Sequence, residues 1–338
     1  MSVHAAADQW ERLSGRIQFR LARAVAKRRQ GEFKKLFPNV IGVGAGYRTV
    51  GSGRSIRKEF CLRFLVSRKW EDRRNRGGKI PPAVQAYWKH NGRMRRVLVP
   101  TDVSELRGEP HRLLDLTDGI TSFNGNQPID YGSACCIVHR RGLRNERYIL
   151  SCYHVFVPNM IFPVPRNLSL RATDTAGREI GSSFLGGNPS RWVDAALLSI
   201  DSGSVDSVGL WQRNAVRQAT TSELNEMPFD VPFTLYVRRS TPPTVPGQDR
   251  AAPLVVTFVG FHESETPFDY TKDAGRHFYF PSTIEYQAAV RPGDSGSPLL
   301  DDTGVLYGMH FYGDDQSGFA MAAPGLFDHG VFPIDIEI

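Results

Sequence analysis

Between residues 5 and 37 apolar side chains return every three or four positions. Trp10, Leu13, Ile17, Leu21, Ala24 and Val25 fall on one stripe, which is the period of an amphipathic α-helix. The spacing predicts a helix over Ala5–Phe37, with Arg12, Arg16, Arg20, Arg23, Lys27, Arg28, Arg29, Lys34 and Lys35 covering much of its remaining surface. After Pro38 the rhythm changes. Val40–Val50 and Glu59–Ser67 read as two strands joined by a Gly/Ser turn, Arg68–Lys79 with Ile80-Pro81-Pro82 as a connector, and Arg95–Val103 as a further short strand. Gly42, Gly44 and Gly46 do not complete a G-x-G-x-x-G pattern, and no strand–loop–helix unit follows them. They read as strand glycines, not as a phosphate cradle.

From residue 116 onward short apolar runs follow one another. Ala134–Val138, Arg147–Cys152, Ala195–Ile200, Thr234–Val237, Leu254–Phe261, His277–Phe280, Gly296–Leu300 and Val305–Phe311 read as strands. Gly186-Gly187-Asn188-Pro189, Pro242-Pro243 and Asp302-Thr303-Gly304 are the turn signals between them. Only Ser222–Met227 has a helical rhythm, and it is short. Many short strands at this spacing predict an all-β barrel or sandwich. The expected organisation is a small basic α+β module over 1–115, followed by an all-β domain over 116–338.

Charge sharpens that division. The net charge of +7 over 338 residues conceals 26 Lys+Arg against 10 Asp+Glu in 1–115, and 16 against 25 in the remainder. A module so basic suits an acidic partner protein, nucleic acid or an anionic membrane surface. With 41% apolar and 23% charged residues the chain has ordinary globular composition, which excludes a disordered or fibrous protein. No apolar run approaches the roughly 18–20 residues of a spanning helix, and the opening MSVHAAADQWERLSGR lacks the pattern of a signal peptide. A soluble, cytoplasmic protein is expected. Cys61, Cys135, Cys136 and Cys152 are too few for a disulfide scaffold and form no C-x-x-C pair. Cys136 and Cys152 are expected to face each other across a hairpin turning near Leu143–Arg144, with a disulfide and two buried thiols both open. The nine His are scattered without an H-E-x-x-H or a Cys/His cluster, so neither a metal nor a cofactor is expected.

The chemistry concentrates in VRPGDSGSPLLDDTGVLYGMHFYG, Val290–Gly313. Pro292-Gly293-Asp294-Ser295-Gly296 is a turn that puts a hydroxyl at the mouth of a strand. Gly293 lets the backbone bend so that its own N–H and that of Ser295 point at one spot, an oxyanion hole. A G-x-S-x-G elbow would need glycine at 297, where Ser297 stands. A serine is weakly nucleophilic and needs a base oriented by a third group. His154 in YILSCYHVF and Asp194 in RWVDAALLSI are the candidates, each at an end of an apolar strand; Asp174 and Asp201 compete with Asp194.

These segments resemble the trypsin-like, chymotrypsin-fold serine peptidases. The order His154, Asp194, Ser295 matches that family's order and approximate spacing. SCYHVF, VDAALLSI and PGDSGSPLL resemble its histidine, aspartate and nucleophile segments. The resemblance covers roughly 120–325. It implies a double β-barrel with the site between the barrels, His154 as general base, Asp194 orienting it and Ser295 attacking the scissile carbonyl of a protein substrate. Asp294 is expected to support the oxyanion loop, and no Arg followed by Ile-Val-Gly-Gly opens the barrel, so activation through a new N-terminus is not expected.

Aligned to the family, Ala289 falls at the base of the specificity pocket and Val290 beside it. Gly313, Gly318 and Phe319-Ala320 contribute walls. His310 stands where glutamate-specific bacterial and viral chymotrypsin-like peptidases carry a pocket histidine. Nothing acidic remains at 289 to hold Lys or Arg, so the residue before the cleaved bond (P1) is expected to be Glu or Gln, or else small or apolar. Val290 departs from the hydroxyl those families usually carry. NVIGVGAGY, the basic hairpin, IPPAV and VLVPTDV are similar to the N-terminal region of a bacterial and plant group of such peptidases, which implies an attached regulatory or assembly module. A catalytically inert barrel, docked through the basic module as a scaffold, is the alternative from a different class.

Overall fold

The computed structural model describes residues 9–50, 57–66, 79–90, 92–105, 120–124, 127–156, 170–173, 179–181, 184–186, 193–200, 215–225, 233–238, 251–262, 266–269, 277–280, 282–290, 293–313 and 316–338. The beginning of the expected helix, most of the connector at 68–79, and the turns at 187–189 and 242–243 lie outside them, as do Asp174 and Asp201. The chain divides into two compact units. One takes Met1–Arg107, Val259–Phe268 and Pro281–Glu285; the other takes Gly108–Phe258, Asp269–Phe280 and Tyr286–Ile338.

In the first unit the long helix is α1, Gly15–Leu36. It does not run unbroken from the start of the apolar stripe, because Ser14 is extended (φ −62°, ψ 149°). The break folds Trp10 inward to 1% exposure, and its carbonyl accepts from the Gln18 side chain at 2.8 Å and from Leu13 N–H at 3.1 Å. The buried face also differs from the expected stripe: Phe19, Ala22, Arg23, Val25, Ala26 and Phe33 face inward, while Ile17, Leu21 and Ala24 are half-buried. Arg23 therefore leaves the solvated basic face. Its guanidinium lies 4.0 Å from the centre of the Phe261 ring, where cation–π attraction offsets part of the cost of desolvating it. Arg12, Arg16, Arg20, Lys27, Arg28 and Lys35 remain exposed.

Helix α1 packs on β1 (Val40–Val50) and β2 (Arg57–Val66), which pair antiparallel. Phe33 and Phe37 stand edge-on to Phe64 at 5.1 and 6.1 Å, a favoured arrangement for buried rings. Beyond β2 come β3 (Ala83–His90) and β4 (Arg93–Glu105), a hairpin closed at Gly92, with β4 parallel to β2. β3 carries Gln85, Tyr87 and Lys89 exposed in alternation with Val84 and Ala86 buried, a period-2 pattern too weak to register beside the prolines before it. Residues 260–262 pair with Gly44–Gly46 of β1. A Cβ on Gly44 would run into the Phe261 carbonyl and lie 2.7 Å from His262 Cα, so close approach of two backbones is what this glycine permits.

A charged cluster lies inside the same unit. Arg63 Nε and Nη2 donate to Glu285 at 2.8 and 2.7 Å, and its Nη1 donates to Asp102 at 2.8 Å. His262 Nε2 lies 2.8 Å from Glu285 Oε2. Burial alone would raise the Glu285 carboxyl; the charge of Arg63 and the bonds from His262 and Arg63 outweigh it and hold the group at about 2. Bidentate pairing of this kind is what makes a buried carboxylate tolerable.

The second unit is built of strands, with single-turn helices between some of them. One sheet runs β6 (Gln127–Gly132), β5 (Ile120–Asn124), β9 (Leu170–Thr173), β10 (Glu179–Gly181). Another runs β7 (Cys136–Arg140), β8 (Leu143–Ser151), β12 (Ala196–Ser199), β11 (Phe184–Gly186), with β22 (Ile336–Glu337) on the other side of β7. Gly181 presses against the Ser199 carbonyl, where a Cβ would not fit. Downstream, β14 (Phe233–Arg238), β19 (Pro298–Leu300), β20 (Val305–Gly313) and β21 (Ser317–Ala322) pair in succession, and β14 also pairs with residues 251–256 of β15 (Ala251–His262). β13 (Arg217–Gln218) pairs parallel with β20, and β16 (Thr266–Asp269), β17 (His277–Phe280) and β18 (Thr283–Gln287) complete the strands among the described residues. The expected fold class, an all-β double β-barrel preceded by a basic α+β module, is the one adopted. Among the described residues no helix is long and apolar enough to cross a membrane.

The cysteine expectation is corrected by register. Gly142 (φ 77°) tightens the β7–β8 turn, so Cys136 pairs with Leu150, not with Cys152. All four cysteines are buried free thiols.

The tight crossing at Gly44 generates a stability test. Gly44→Ala is expected to lower stability by about 1–3 kcal/mol, because the added methyl group overpacks two backbones that cannot separate cheaply. Urea unfolding followed by fluorescence measures it, and an unchanged midpoint would contradict the packing described.

Candidate active site

Pairing of Ala196 with Ser151 brings the start of β12 and the end of β8 to the same edge of their sheet. Asp194 precedes β12, and β8 runs into α2, Tyr153–Phe156, a single turn carrying His154. The two side chains meet: His154 Nδ1 lies 2.7 Å from Asp194 Oδ2, and the backbone N–H of His154 donates to Asp194 Oδ1 at 3.0 Å. Asp194 is fully buried and the His154 side chain is 21% exposed. Both oxygens of a buried carboxylate are thus used on one residue. The ring is fixed with Nδ1 as donor, which leaves Nε2 as the acceptor.

Ser295 sits in a turn that the apolar pattern alone would not define. Gly293 (φ 91°) and Gly296 (φ 92°) on either side adopt the left-handed backbone that glycine alone enters freely. Ser297 N–H donates to the Asp294 carbonyl at 3.0 Å and Gly296 N–H to the His310 carbonyl at 2.8 Å. Gly132 lies between this turn and the histidine segment. A Cβ there would be 2.9 Å from both the Ser295 carbonyl and Val155 Cγ1, so the residue after His154 and the main chain of Ser295 close on the same glycine.

Of the residues expected to form the pocket, His310 and Gly313 lie on β20 and Gly318 on β21, while Ala289 and Val290 follow β18. His310 is 2% exposed. Its Nδ1 is 2.5 Å from the hydroxyl of Tyr286, a residue with no sequence signal linking it to 310. Burial pushes the Tyr286 phenol well above its ordinary value, so it stays protonated and its O–H donates to Nδ1. Burial first, and the nearby His154 second, lower His310 to about 3. Its imidazole is therefore neutral across the physiological range, with its hydrogen on Nε2. Gly318 faces the Tyr286 ring and Gly313 faces Val290, each so closely that a Cβ would collide. Val290 is buried and Ala289 is exposed.

Cys152 ties the two halves of this arrangement. Its thiol, pushed well up by burial and then by the charge of Asp194, stays protonated and donates to the His310 carbonyl at 3.3 Å. Among the described residues Cys152, His154 and Asp194 form one grouping with metal-ligand character, their donor atoms within 4.8 Å of one another. The fit is poor. A ligating thiol must be ionised, whereas burial opposes that here, and the 2.7 Å between His154 and Asp194 is a hydrogen-bond distance.

A family model described as trypsin-like peptidase domain matches residues 132–309. No curated protein matches the chain. Among solved structures, the Rv3671c protease from M. tuberculosis in its active form is 16% identical, with a TM-score of 0.37, covering 61% of this chain and 75% of its own. The HRV-C 3C protein with rupintrivir is 11% identical, with a TM-score of 0.33, covering 61% and 91%.

The buried imidazole predicts a pH dependence of stability. His310 titrates near 6.5 in the unfolded chain but only near 3 when folded. As pH falls below 6.5 the unfolded chain therefore gains a proton that the folded chain refuses, and stability declines. Between pH 7 and pH 5, His310→Gln should lose less stability than the wild type in urea midpoints. Equal losses would show that residue 310 is not held neutral by its surroundings.

Proposed function

Since the chain belongs to the trypsin-like peptidase family, a family of serine endopeptidases acting on protein substrates, we propose that His154, Asp194 and Ser295 are the triad that cleaves the peptide bond. In this reading His154 Nε2 takes the proton of the Ser295 hydroxyl as Oγ bonds to the scissile carbonyl carbon. The N–H groups of Gly293 and Ser295 stabilise the oxyanion that results. Collapse of the tetrahedral species breaks the C–N bond, the proton passes from His154 to the leaving amine, and an acyl group remains on Ser295. Water, deprotonated by His154, repeats the sequence and frees the acid. Asp194 holds the ring and stabilises the imidazolium formed at each step. The observation that carries the reading is the pair of hydrogen bonds from the His154 ring and backbone N–H to the two carboxylate oxygens of Asp194.

The pocket supports a P1 residue with an uncharged carbonyl. A neutral imidazole whose Nδ1 accepts from Tyr286 carries its hydrogen on Nε2; the ring also bonds a backbone group of Phe319, and the side-chain oxygen of a P1 glutamine would take that group's place. Glutamate would bring a carboxylate to a ring that stays neutral, so glutamine is favoured of the two. Lys and Arg would meet no acid at Ala289, which is exposed, and the buried ring of His310 offers a cation no negative charge.

A fluorophosphonate probe is expected to label Ser295 in the wild-type chain and to leave Ser295→Ala unlabelled; labelling of neither, together with salt-sensitive binding to nucleic acid or anionic vesicles, would favour the inert scaffold. Asp194→Asn should lower kcat by about 10⁴-fold, since the amide leaves the imidazole in the wrong tautomer. In a peptide library, cleavage should follow Gln, and cleavage after Lys or Arg would overturn the pocket assignment.

A further inference from the structure

The turn around Ser295 has an intrinsic weakness. Gly293 and Gly296 have no side chains to anchor them, and both hold positive φ values that an unrestrained glycine leaves readily. An oxyanion hole works only when its donors are held in place before charge develops. Something must therefore restrain the peptide groups on either side of Ser295.

Ser133 does so with every polar atom it has. Its N–H donates to the Ser295 carbonyl at 2.7 Å, and its hydroxyl donates to the Gly293 carbonyl at 3.0 Å. Its own carbonyl accepts from the Ser151 hydroxyl at 2.6 Å. The residue is 3% exposed, so these bonds form away from competing water and are stronger for it. The neighbouring glycines allow it: Gly132 lets the chain pass beneath the Ser295 carbonyl, and Gly296 comes so close to the Ser133 carbonyl that a Cβ would collide with it. Ser151 belongs to the β8 end that also leads into His154. One short chain of hydrogen bonds, Ser151 to Ser133 to Gly293 and Ser295, thus links the strand bearing the base to the loop bearing the nucleophile.

We propose that Ser133 is a positioning residue that holds the Gly293–Ser295 loop in its oxyanion-binding form, its hydroxyl fixing the Gly293 carbonyl outward and so orienting the donors on the opposite side of the turn. The proposal rests on Ser295 being the nucleophile. It assigns the order of the loop to bonds within the described chain, so that a charge brought by a newly cut N-terminus is not required. Ser133 touches no reacting atom, and its effect is confined to the transition state. The Michaelis complex, held by the pocket on β18, β20 and β21, is left unchanged.

The test compares Ser133→Ala, Ser133→Thr and the wild type, all as the full chain, on a peptide substrate with glutamine at P1. Ser133→Ala should lower kcat about tenfold or more while KM changes less than about threefold, the split expected when an interaction acts mainly in the transition state. Ser133→Thr, which keeps the hydroxyl, should recover most of the rate. A peptide boronate, which mimics the tetrahedral species, should lose affinity for Ser133→Ala in proportion to kcat/KM. If Ser133→Ala keeps full kcat, or if kcat and KM change together with no loss of boronate affinity beyond that of a ground-state peptide, the proposal fails. Should Ser133→Ala not fold, Ser133→Gly and Ser133→Thr carry the same comparison. Failure of the wild type to react with a fluorophosphonate at Ser295 would instead remove the triad reading itself, before Ser133 enters.

Discussion

A carboxylate with no exposed surface dominates the chemistry of the second unit. Asp194 has two oxygens to satisfy, and both are used on His154: the ring at 2.7 Å and the backbone N–H at 3.0 Å. An ionised group left unpaired in such a place would cost several kcal/mol. The chain therefore fixes the orientation of the histidine in the act of burying the acid. Strand register does the positioning, since pairing of Ala196 with Ser151 brings the two residues to one edge. In the proposed mechanism proton transfer depends on a ring that cannot turn.

In the proposed reading a buried ring, His310, sets what the site accepts. His310 is neutral because burial opposes its charge and His154 repels a second one. The Tyr286 hydroxyl then decides which nitrogen carries the hydrogen. In the proposed mechanism the two histidines play different parts: His154, partly exposed and beside a carboxylate, gains a proton during turnover, while His310 meets the substrate side chain without titrating. Between them, Cys152 and Gly296 N–H converge on the His310 carbonyl, so the strand ending beside His154, the turn around Ser295 and β20 share one hydrogen-bonded framework.

Much of this was legible in the order of residues, and the rest was hidden for identifiable reasons. His154, Asp194 and the Gly293–Ser295 turn lie in compact motifs, and glycines flanking a serine announce a backbone that other residues resist. Tyr286, in β18, and Ser133, between β6 and β7, carry no such marks, and their importance comes from the neighbours that the fold brings to them. The buried face of α1 shares Val25 with the apolar stripe but turns away from the rest of it, because Arg23 can be buried against Phe261, an option that periodicity scores as polar. The interruption before α1 has no mark in the sequence, because nothing in a run of apolar spacing reveals that Ser14 is extended. Cys136 and Cys152 were matched by counting from an assumed turn, and a tighter turn at Gly142 moved every partner.

The most direct measurement is a crystal structure of the chain inactivated by a peptidyl phosphonate ending in glutamine. The account predicts phosphorus bonded to Ser295 Oγ, one phosphoryl oxygen on the N–H groups of Gly293 and Ser295, and His154 Nε2 within hydrogen-bond distance of the adduct. The glutamine side-chain oxygen should lie on His310 Nε2. An adduct on another residue, or an imidazole at 154 turned away from the phosphonate, would contradict it.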